Sequence, residues 1–250
     1  MTELPPHAIS ILSRLDLVAD NAAYDGLLDR LKNPQSATTV AFVNAHAVNI
    51  IWNNAEIAED FAAADVILRD GKGLEMLFEK IGVNPGLNMN GTDFLPAFLR
   101  YARELPLAVY GTADPWLSIG CDKLQGQGHI IAARFDGFQP VEEYVANAIE
   151  AKPKIILLAM GMPKQERVAR ALRAALVDQP VTIVCGGAIV DFLAERFQRA
   201  PSWMRRTGLE WAYRLFREPR RLFRRYVIGN ATFLWHIRQI VREGGLAKKK

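Results

Sequence analysis

Short apolar runs alternate with helix-like repeats along most of this 250-residue chain. Residues 39–43 (TVAFV) and 155–159 (IILLA) are bounded by turn residues, and their length is typical of strands buried on both faces. Between such runs, apolar residues recur every three or four positions, as they do in helices that cover a sheet. The alternation predicts an α/β fold with a mostly parallel, doubly wound sheet.

The same pattern predicts approximate boundaries for each element. Residues 82–92 are rich in Asn, Gly and Pro, which predicts a loop. Strands are predicted at 39–43, 66–68, 107–110, 129–133, 155–160 and 181–185, with a weaker strand at 8–12. Helices are predicted at 22–31, 48–52, 57–64, 74–81, 93–102, 115–125, 141–151 and 165–177.

The pattern changes after residue 188. Residues 196–226 alternate aromatic and aliphatic side chains with ten arginines, which predicts two or three short amphipathic helices, and a last apolar repeat follows at 226–241. We therefore predict an α/β domain over residues 1–195 and a helical, Arg-rich appendage over residues 196–250. The appendage either packs on the sheet domain or meets another partner.

Charge is divided along the chain in the same way. Residues 196–250 hold 15 Lys and Arg against three Glu, a net charge of +12, whereas residues 1–195 carry a net charge of −8. This split favours an anionic partner for the appendage: phosphate, nucleic acid or a membrane surface. The chain shows no charged leader and no apolar run of about 18 residues, so we expect neither a signal peptide nor a spanning helix, and a protein made in the cytoplasm. Cys121 and Cys185 suit core positions in a reducing compartment.

Polar residues follow several of the predicted strands. Because the carboxyl ends of parallel strands meet at one edge of a sheet, these residues are candidates for a ligand site. Asp70 ends one strand and is followed by Gly71, which suits a general base that must approach a ligand closely. The alternative for Asp70 is an ordinary Asp-Gly turn. Asn44, His46, the segment Asn90 to Asp93, and Gln165 are the other strand-end candidates.

Each candidate also has a purely structural interpretation. Asp93 is placed to cap a helix, His46 has the apolar neighbours of a structural histidine, and residues 164–166 would form a solvated helix face in a plain strand-to-helix connection. The chain has no Walker phosphate loop, no GxGxxG after a strand, no GxSxG and no metal-ligand spacing. We therefore predict a non-covalent mechanism with no metal and no cofactor.

Five motifs occur in a fixed order between residues 70 and 226. They are DGKG at 70–73, NGTD at 90–93, GMPKQE at 161–166, GGA with DF within 186–192, and RAPSWMRRTGLEWAYRLFREPRRLFRRY at 199–226. Together they resemble the WecG/TagA/CpsF family of bacterial glycosyltransferases, over roughly residues 41–226. One such motif alone is weak evidence for a family, whereas five in the same order are strong evidence.

The resemblance implies a Rossmann-like domain whose C-terminal appendage associates peripherally with the cytoplasmic face of the inner membrane. It implies metal-independent, inverting transfer of a sugar from a UDP-sugar to a polyprenyl-diphosphate-linked sugar, in cell-surface polysaccharide synthesis. Asp70 would be the base, and three arginines would replace a metal at the donor diphosphate by charge and bidentate contacts. The implied substrate- and donor-binding residues are Asn44, His46, Asn90, Gly91, Thr92, Asp93, Gln165, Glu166, Gly187, Arg214, Arg221 and Arg224.

The donor and the class of partner have competing interpretations. FVNAH at 42–46 is similar to the exopolysaccharide branch of the family, including the xanthan-type glucosyltransferase, which implies UDP-glucose, with UDP-N-acetylmannosamine or a related donor as the other option. The second function considered is a nucleotide-sensing module with an Arg-rich tail that binds nucleic acid. The chain lacks a nucleic-acid-binding motif, and the Trp, Leu and Phe of the tail favour packing and lipid. The sequence therefore favours an anionic membrane over nucleic acid, and it leaves a homo-oligomer open.

Overall fold

The computed structural model describes residues 4–246, with the side chains of Ser202 and Arg206 left out. Six strands form one sheet in the order β2-β1-β6-β5-β3-β4, and every neighbouring pair is parallel. This confirms the predicted α/β fold with a parallel, Rossmann-like sheet. Strands β1 to β6 are Thr38–Val43, Val66–Arg69, Leu107–Gly111, Ile131–Phe135, Ile155–Ala159 and Thr182–Cys185.

Helices cover both faces of the sheet, and most lie where the apolar repeats predicted them. The prediction of a strand at 8–12 was wrong, because these residues belong to a helix. Pro6 occupies the first helical turn, where its missing N–H has no partner to lose, and Ala8, Ile11 and Leu12 are buried at helical spacing. Helices α1 to α10 are Pro6–Ser13, Asn21–Lys32, Ala45–Trp52, Ala55–Ala62, Lys72–Lys80, Gly91–Tyr101, Trp116–Gly126, Val141–Ala151, Lys164–Ala175 and Ile189–Leu193.

Several boundaries differ from the prediction, and for two of them the local reason is clear. β4 begins two residues after the predicted start, because the turn after α7 continues through His129, whose N–H donates to the carbonyl of Leu124. α6 begins at Gly91 instead of 93, because the Asn90 side chain caps it and accepts a hydrogen bond from the Asp93 N–H at 3.0 Å. The predicted loop therefore ends at residue 90.

The core is formed by apolar side chains on the two faces of the sheet. β3 and β5 come very close at their carboxyl ends, where Gly111 has a φ of +145° and a Cβ on it would lie 2.3 Å from the Ala159 carbonyl. Only glycine tolerates both this backbone conformation and this contact. The close approach brings the loops that follow these two strands to one end of the sheet.

The C-terminal region forms the short helices that the sequence predicts. α11 is Ser202–Arg206, α12 is Glu210–Arg217 and α13 is Pro219–Phe223; a π-helical segment, Arg224–Ile228, then leads into α14, Gly229–Arg242.

α14 packs directly on the sheet domain. Phe233, Ile237 and Ile240 are buried in the same apolar cluster as side chains of α1, α3, α4 and α5. A Cβ on Gly73 of α5 would lie 2.9 Å from the ring of Phe233, so the two helices are in close contact. The domain boundary at residue 195 stays a prediction, and cutting the chain there would remove these buried side chains.

Candidate active site

A cavity of about 540 Å³ lies at the carboxyl ends of the strands, between the sheet and the C-terminal helices. The loops after β1, β2, β5 and β6 form its floor, as expected for an open parallel sheet. Side chains from the C-terminal region form the opposite wall. The polar and charged residues that line the cavity are Asn44, His46, Asp70, Thr92, Thr112, Gln165, Asp191, Arg196, Arg214, Glu218, Arg221 and Arg225.

Asp70 stands at the end of β2 and is half-buried in this cavity. Its backbone N–H donates to the Val43 carbonyl at 2.8 Å, which extends the pairing of β1 and β2 by one residue. Burial raises the pKa of the Asp70 carboxyl group above its usual range, and the Glu210 charge raises it further. Asn44 and the Arg225 and Arg69 charges oppose this rise. A carboxylate with a raised pKa is a better proton acceptor, which suits a general base.

Asn44 orients Asp70 and starts α3 with the same side chain. Its Oδ1 accepts hydrogen bonds from the His46 and Ala47 N–H groups at 3.0 and 3.1 Å, so it caps the helix. Its Nδ2 donates to Asp70 Oδ2 at 3.1 Å. The start of α3 thus fixes the Asn44 side chain, which in turn holds the Asp70 carboxylate.

Arg69 holds the turn that carries Asp70. Its guanidinium group is 1% exposed and donates to the carbonyls of Gly71, Pro85 and Gly86 at 2.9 to 3.1 Å. The Gly71 N–H donates to Asn88 Oδ1 at 2.8 Å, and Gly71 has a φ of +88°. The glycine after Asp70 is therefore required by the turn, and the loop after α5 holds that turn in place.

His46 lines the cavity as a neutral side chain. Burial lowers its pKa to about 4, and the nearby Arg225 charge acts in the same direction. At neutral pH the imidazole therefore carries no charge. It offers one hydrogen-bond donor and one acceptor to a ligand.

Gln165 reaches the cavity from the start of α9, and Glu166 does not. The Gln165 Oε1 accepts a hydrogen bond from the Gly187 N–H at 2.9 Å, and its Nε2 donates to Glu166 Oε1 at 2.8 Å. Glu166 is 1% exposed and lies behind the cavity wall. Of the ligand contacts predicted in the GMPKQE and GGA motifs, the structure places Gln165 and Gly187 at the cavity and Glu166 outside it.

The NGTD motif is divided in the same way. Gly91 and Thr92 line the cavity, whereas Asn90 and Asp93 form the cap of α6 away from it. Arg199 also forms a salt bridge with Asp93 at 2.8 Å. Helix capping therefore accounts for Asn90 and Asp93, whereas Gly91 and Thr92 at the start of α6 face the cavity.

Of the three arginines implied by the family resemblance, the structure places two at the cavity. Arg214 and Arg221 line it, but Arg224 is exposed outside it and Arg225 takes its place. Arg221 and Arg225 are four residues apart, a spacing that lets both reach the cavity from one side of a helical segment. Arg224 is three residues from Arg221, so helical spacing alone did not distinguish it from Arg225.

The cavity also contains a second group of interacting polar and charged side chains that the sequence analysis did not predict. The Thr112 hydroxyl donates to Asp191 Oδ1 at 2.8 Å, and Arg196 forms a salt bridge with the same oxygen at 3.0 Å. Thr112 has a φ of +51°, an uncommon conformation for a β-branched residue. Thr112 follows the end of β3 by one residue and Asp191 belongs to the DF motif, so these two signals could have identified both residues, although neither was predicted as part of the site.

The arginines of the cavity fall into a paired and an unpaired set. Arg221 forms two hydrogen bonds with Glu218 at 2.6 and 2.9 Å, and Arg196 is paired with Asp191. Within residues 4–246, Arg214 and Arg225 make no salt bridge, and the buried Nε of Arg225 has no hydrogen-bond partner. Two cations that form no direct salt bridge among the described residues lie in one cavity, which favours an anionic ligand with several oxygens, such as a diphosphate.

The described residues contain no group of three or more His, Cys, Asp or Glu side chains that is placed to hold a metal ion. The same part of the chain has no helix of the length and apolar character needed to cross a membrane.

Comparison with known proteins gives a family match over residues 9–245, to the glycosyl transferase WecG/TagA/CpsF family. The chain is 32% identical over 165 residues to the N-acetylglucosaminyldiphosphoundecaprenol N-acetyl-beta-D-mannosaminyltransferase of Bacillus spizizenii, covering 64% of this chain and 63% of the relative. It is 30% identical over 185 residues to the protein of the same name from Bacillus subtilis, covering 72% of each chain. Neither name supports the UDP-glucose donor expected from FVNAH.

Proposed function

Because the chain belongs to the glycosyl transferase WecG/TagA/CpsF family, we propose that it transfers N-acetylmannosamine from a UDP-linked donor to an N-acetylglucosaminyl-diphosphoundecaprenol acceptor, with inversion. The names of both relatives support this donor sugar and this acceptor over the UDP-glucose alternative. The matched region spans under two thirds of the first relative. The proposed mechanism therefore rests on the geometry of the site in this chain.

One observation carries the proposal: a carboxylate held by an amide and two unpaired arginines share one cavity. Asp70 would accept the proton of the acceptor hydroxyl as its oxygen attacks the anomeric carbon of the donor. The bond from that carbon to the diphosphate oxygen breaks, and UDP leaves with the bonding electron pair. Arg214 and Arg225 would stabilise the negative charge that develops on the leaving diphosphate.

The test of this function is UDP release in the presence of EDTA. The protein is incubated with a panel of UDP-sugars and a synthetic prenyl-diphosphate N-acetylglucosamine. Among the UDP-sugars of the panel, we expect only UDP-N-acetylmannosamine to give rapid UDP release and a disaccharide product. This activity should persist in EDTA, because the arginines supply the positive charge that a metal would otherwise supply. Activity that EDTA abolishes and Mg²⁺ restores would contradict the metal-free mechanism. Transfer of another sugar would contradict the donor assignment.

We also propose that the appendage binds an anionic membrane surface, where a lipid-linked acceptor is found. α12 has no buried residue, and Phe216 on it is 84% exposed between Arg214 and Arg217. Trp203, Phe223 and Trp235, elsewhere in the appendage, are also more than half exposed. Aromatic side chains among arginines suit the boundary between lipid headgroups and acyl chains.

Replacing Phe216 with serine should weaken binding to phosphatidylglycerol vesicles by about tenfold, because one exposed aromatic side chain no longer enters the lipid. Ile149→Ser is the matched control, since Ile149 is an exposed apolar residue on α8, outside the appendage. Vesicle co-sedimentation measures both variants, at about 0.1 M and about 0.5 M salt, and higher salt should weaken binding of the unchanged protein. Equal losses in the two variants would exclude the appendage as the membrane-binding surface.

A further inference from the structure

Glu166 is a buried acidic residue that the proposed reaction does not use. Its Oε1 accepts a hydrogen bond from Gln165, while its Oε2 is buried with no hydrogen-bond partner among the described residues. A cavity of about 10 Å³ lies against it, between α4, α9, β1 and β6. A carboxyl group held in this way costs folding free energy, unlike a solvated residue of a helix surface.

The Gly187 N–H decides which way the Gln165 amide points. This N–H is a donor and lies 2.9 Å from the Gln165 side chain, so the amide oxygen must occupy that end. The amide nitrogen then faces Glu166 inside the protein, where it needs an acceptor. A carboxylate oxygen supplies that acceptor, and an apolar side chain at 166 would leave the nitrogen buried without a partner.

We infer that Glu166 is a positioning residue, which fixes the Gln165 amide so that this amide holds the Gly186–Gly187 turn against the start of α9 at the floor of the site. Gln165 joins the loops that follow β5 and β6, and both loops line the cavity. Its nitrogen has a second hydrogen that the bond with Glu166 does not use, and a ligand can accept it. The effect of Glu166 on transfer rests on the proposed function, whereas its effect on the turn does not.

The charges around Glu166 set how this contact depends on pH. Burial raises the pKa of Glu166 to about 7, and Asp60 on α4 raises it further, against the opposing effect of the Gln165 hydrogen bond. Cys185 on β6 has a pKa raised well above its usual value and stays a neutral thiol, while Arg170 is paired with Asp60 at 3.3 Å. Because hydrogen bonds to charged acceptors are the stronger ones, the bond from Gln165 should tighten as Glu166 ionises above this pKa.

The test combines NMR of the full chain with transfer kinetics on the same variants. Glu166→Met removes the acceptor, and Glu166→Gln keeps an acceptor oxygen without the charge. We expect Glu166→Met to shift the Gly187 amide signal and to lower kcat by about ten- to a hundredfold with little change in donor KM. Glu166→Gln should lose less activity, and it should abolish the titration of the Gly187 signal near pH 7 that the unchanged protein shows.

A double-mutant cycle separates positioning from a general loss of structure. In a Gln165→Ala background, Glu166→Met should lower kcat no further, because the side chain through which Glu166 acts is gone. An additional loss in that background, equal to the loss in the normal background, would overturn the proposal. A Gly187 amide signal that is unchanged in both Glu166 variants would also overturn the proposal. If Glu166→Met does not fold, Glu166→Gln still provides this measurement.

The two readouts also separate this inference from the proposed function. If the Gly187 signal responds to Glu166 but no UDP-sugar is transferred, the proposed function fails and the positioning role stands. If transfer proceeds normally in Glu166→Met while the Gly187 signal is unchanged, the positioning role alone fails.

Discussion

Asp70→Asn should keep the fold and donor binding and lower the rate of sugar transfer by about 10²- to 10⁴-fold, the usual contribution of a general base. The substitution replaces one carboxylate oxygen with an NH₂ group of similar size, so packing is unchanged. The amide cannot take the proton of the acceptor hydroxyl. UDP release under saturating donor and acceptor measures the rate, and a donor-binding titration confirms that the cavity is intact.

Asp178→Asn is the control for this variant, since Asp178 is exposed beyond the end of α9, at the opposite end of that helix from the cavity. It removes the same charge from the surface and should change the rate by less than about twofold. Near-normal turnover in Asp70→Asn would remove this residue from the mechanism, whatever its position in the cavity.

The pH profile offers a second measure of the same carboxylate. The folded-state pKa of Asp70 is raised, so the fraction that can accept a proton declines as pH falls through that raised value. The acid limb of kcat/KM should therefore lie above the pH at which an ordinary aspartate titrates, about 4. Asn44→Ala removes a hydrogen bond to the ionised form, so it should move that limb to higher pH.

The sheet and the floor of the site were predictable from the sequence because local rules decide them. Each buried apolar run ends at a turn residue, and the carboxyl ends of parallel strands meet at one edge of the sheet. The sequence could therefore predict that Asn44, Asp70 and Gln165 lie in one site, as they do. The ordered motifs also predicted the family correctly, and with it the class of enzyme, a glycosyltransferase.

The errors have physical causes that a repeat pattern does not contain. The strand predicted at 8–12 is α1, because a run of Ile and Leu fits either a short strand or a short helix, and packing against neighbouring helices decides between them. Glu166 follows Gln165 by one residue, and adjacent positions on a helix face different directions, so only one of the two reaches the cavity. The names of the relatives do not support the UDP-glucose donor, and FVNAH alone does not fix the donor sugar.

The C-terminal wall shows most directly what packing adds to sequence. Arg224 and Arg225 are chemically identical neighbours, and helical spacing gives no reason to prefer either. The structure turns Arg225 into the cavity, half-buried, and leaves Arg224 exposed. The two residues therefore form a matched pair for testing whether this wall of the cavity takes part in the reaction.

Arg225→Met should lower kcat by about 10²- to 10³-fold, the usual loss when one group that stabilises the charge of a transition state is removed. Methionine keeps most of the length of the side chain, so the wall stays filled while the cation that we propose for the leaving diphosphate is lost. Arg224→Met, with the same change of charge on an exposed residue, should alter kcat by less than about threefold. Steady-state UDP release on both variants gives the comparison.

Two pH titrations, one of the His46 imidazole by NMR and one of kcat/KM, show whether Arg225→Met has altered the charge in the cavity as intended. Burial lowers the pKa of His46 to about 4 and the Arg225 charge acts in the same direction, so this pKa should rise in Arg225→Met. The same charge opposes the raised pKa of Asp70, so the acid limb of kcat/KM should move to higher pH as well. Arg224→Met should leave both unchanged. If the two variants lose activity equally while only Arg225→Met shifts the His46 signal, the cation acts through general charge on the appendage, and the proposed role of Arg225 at the leaving diphosphate is wrong.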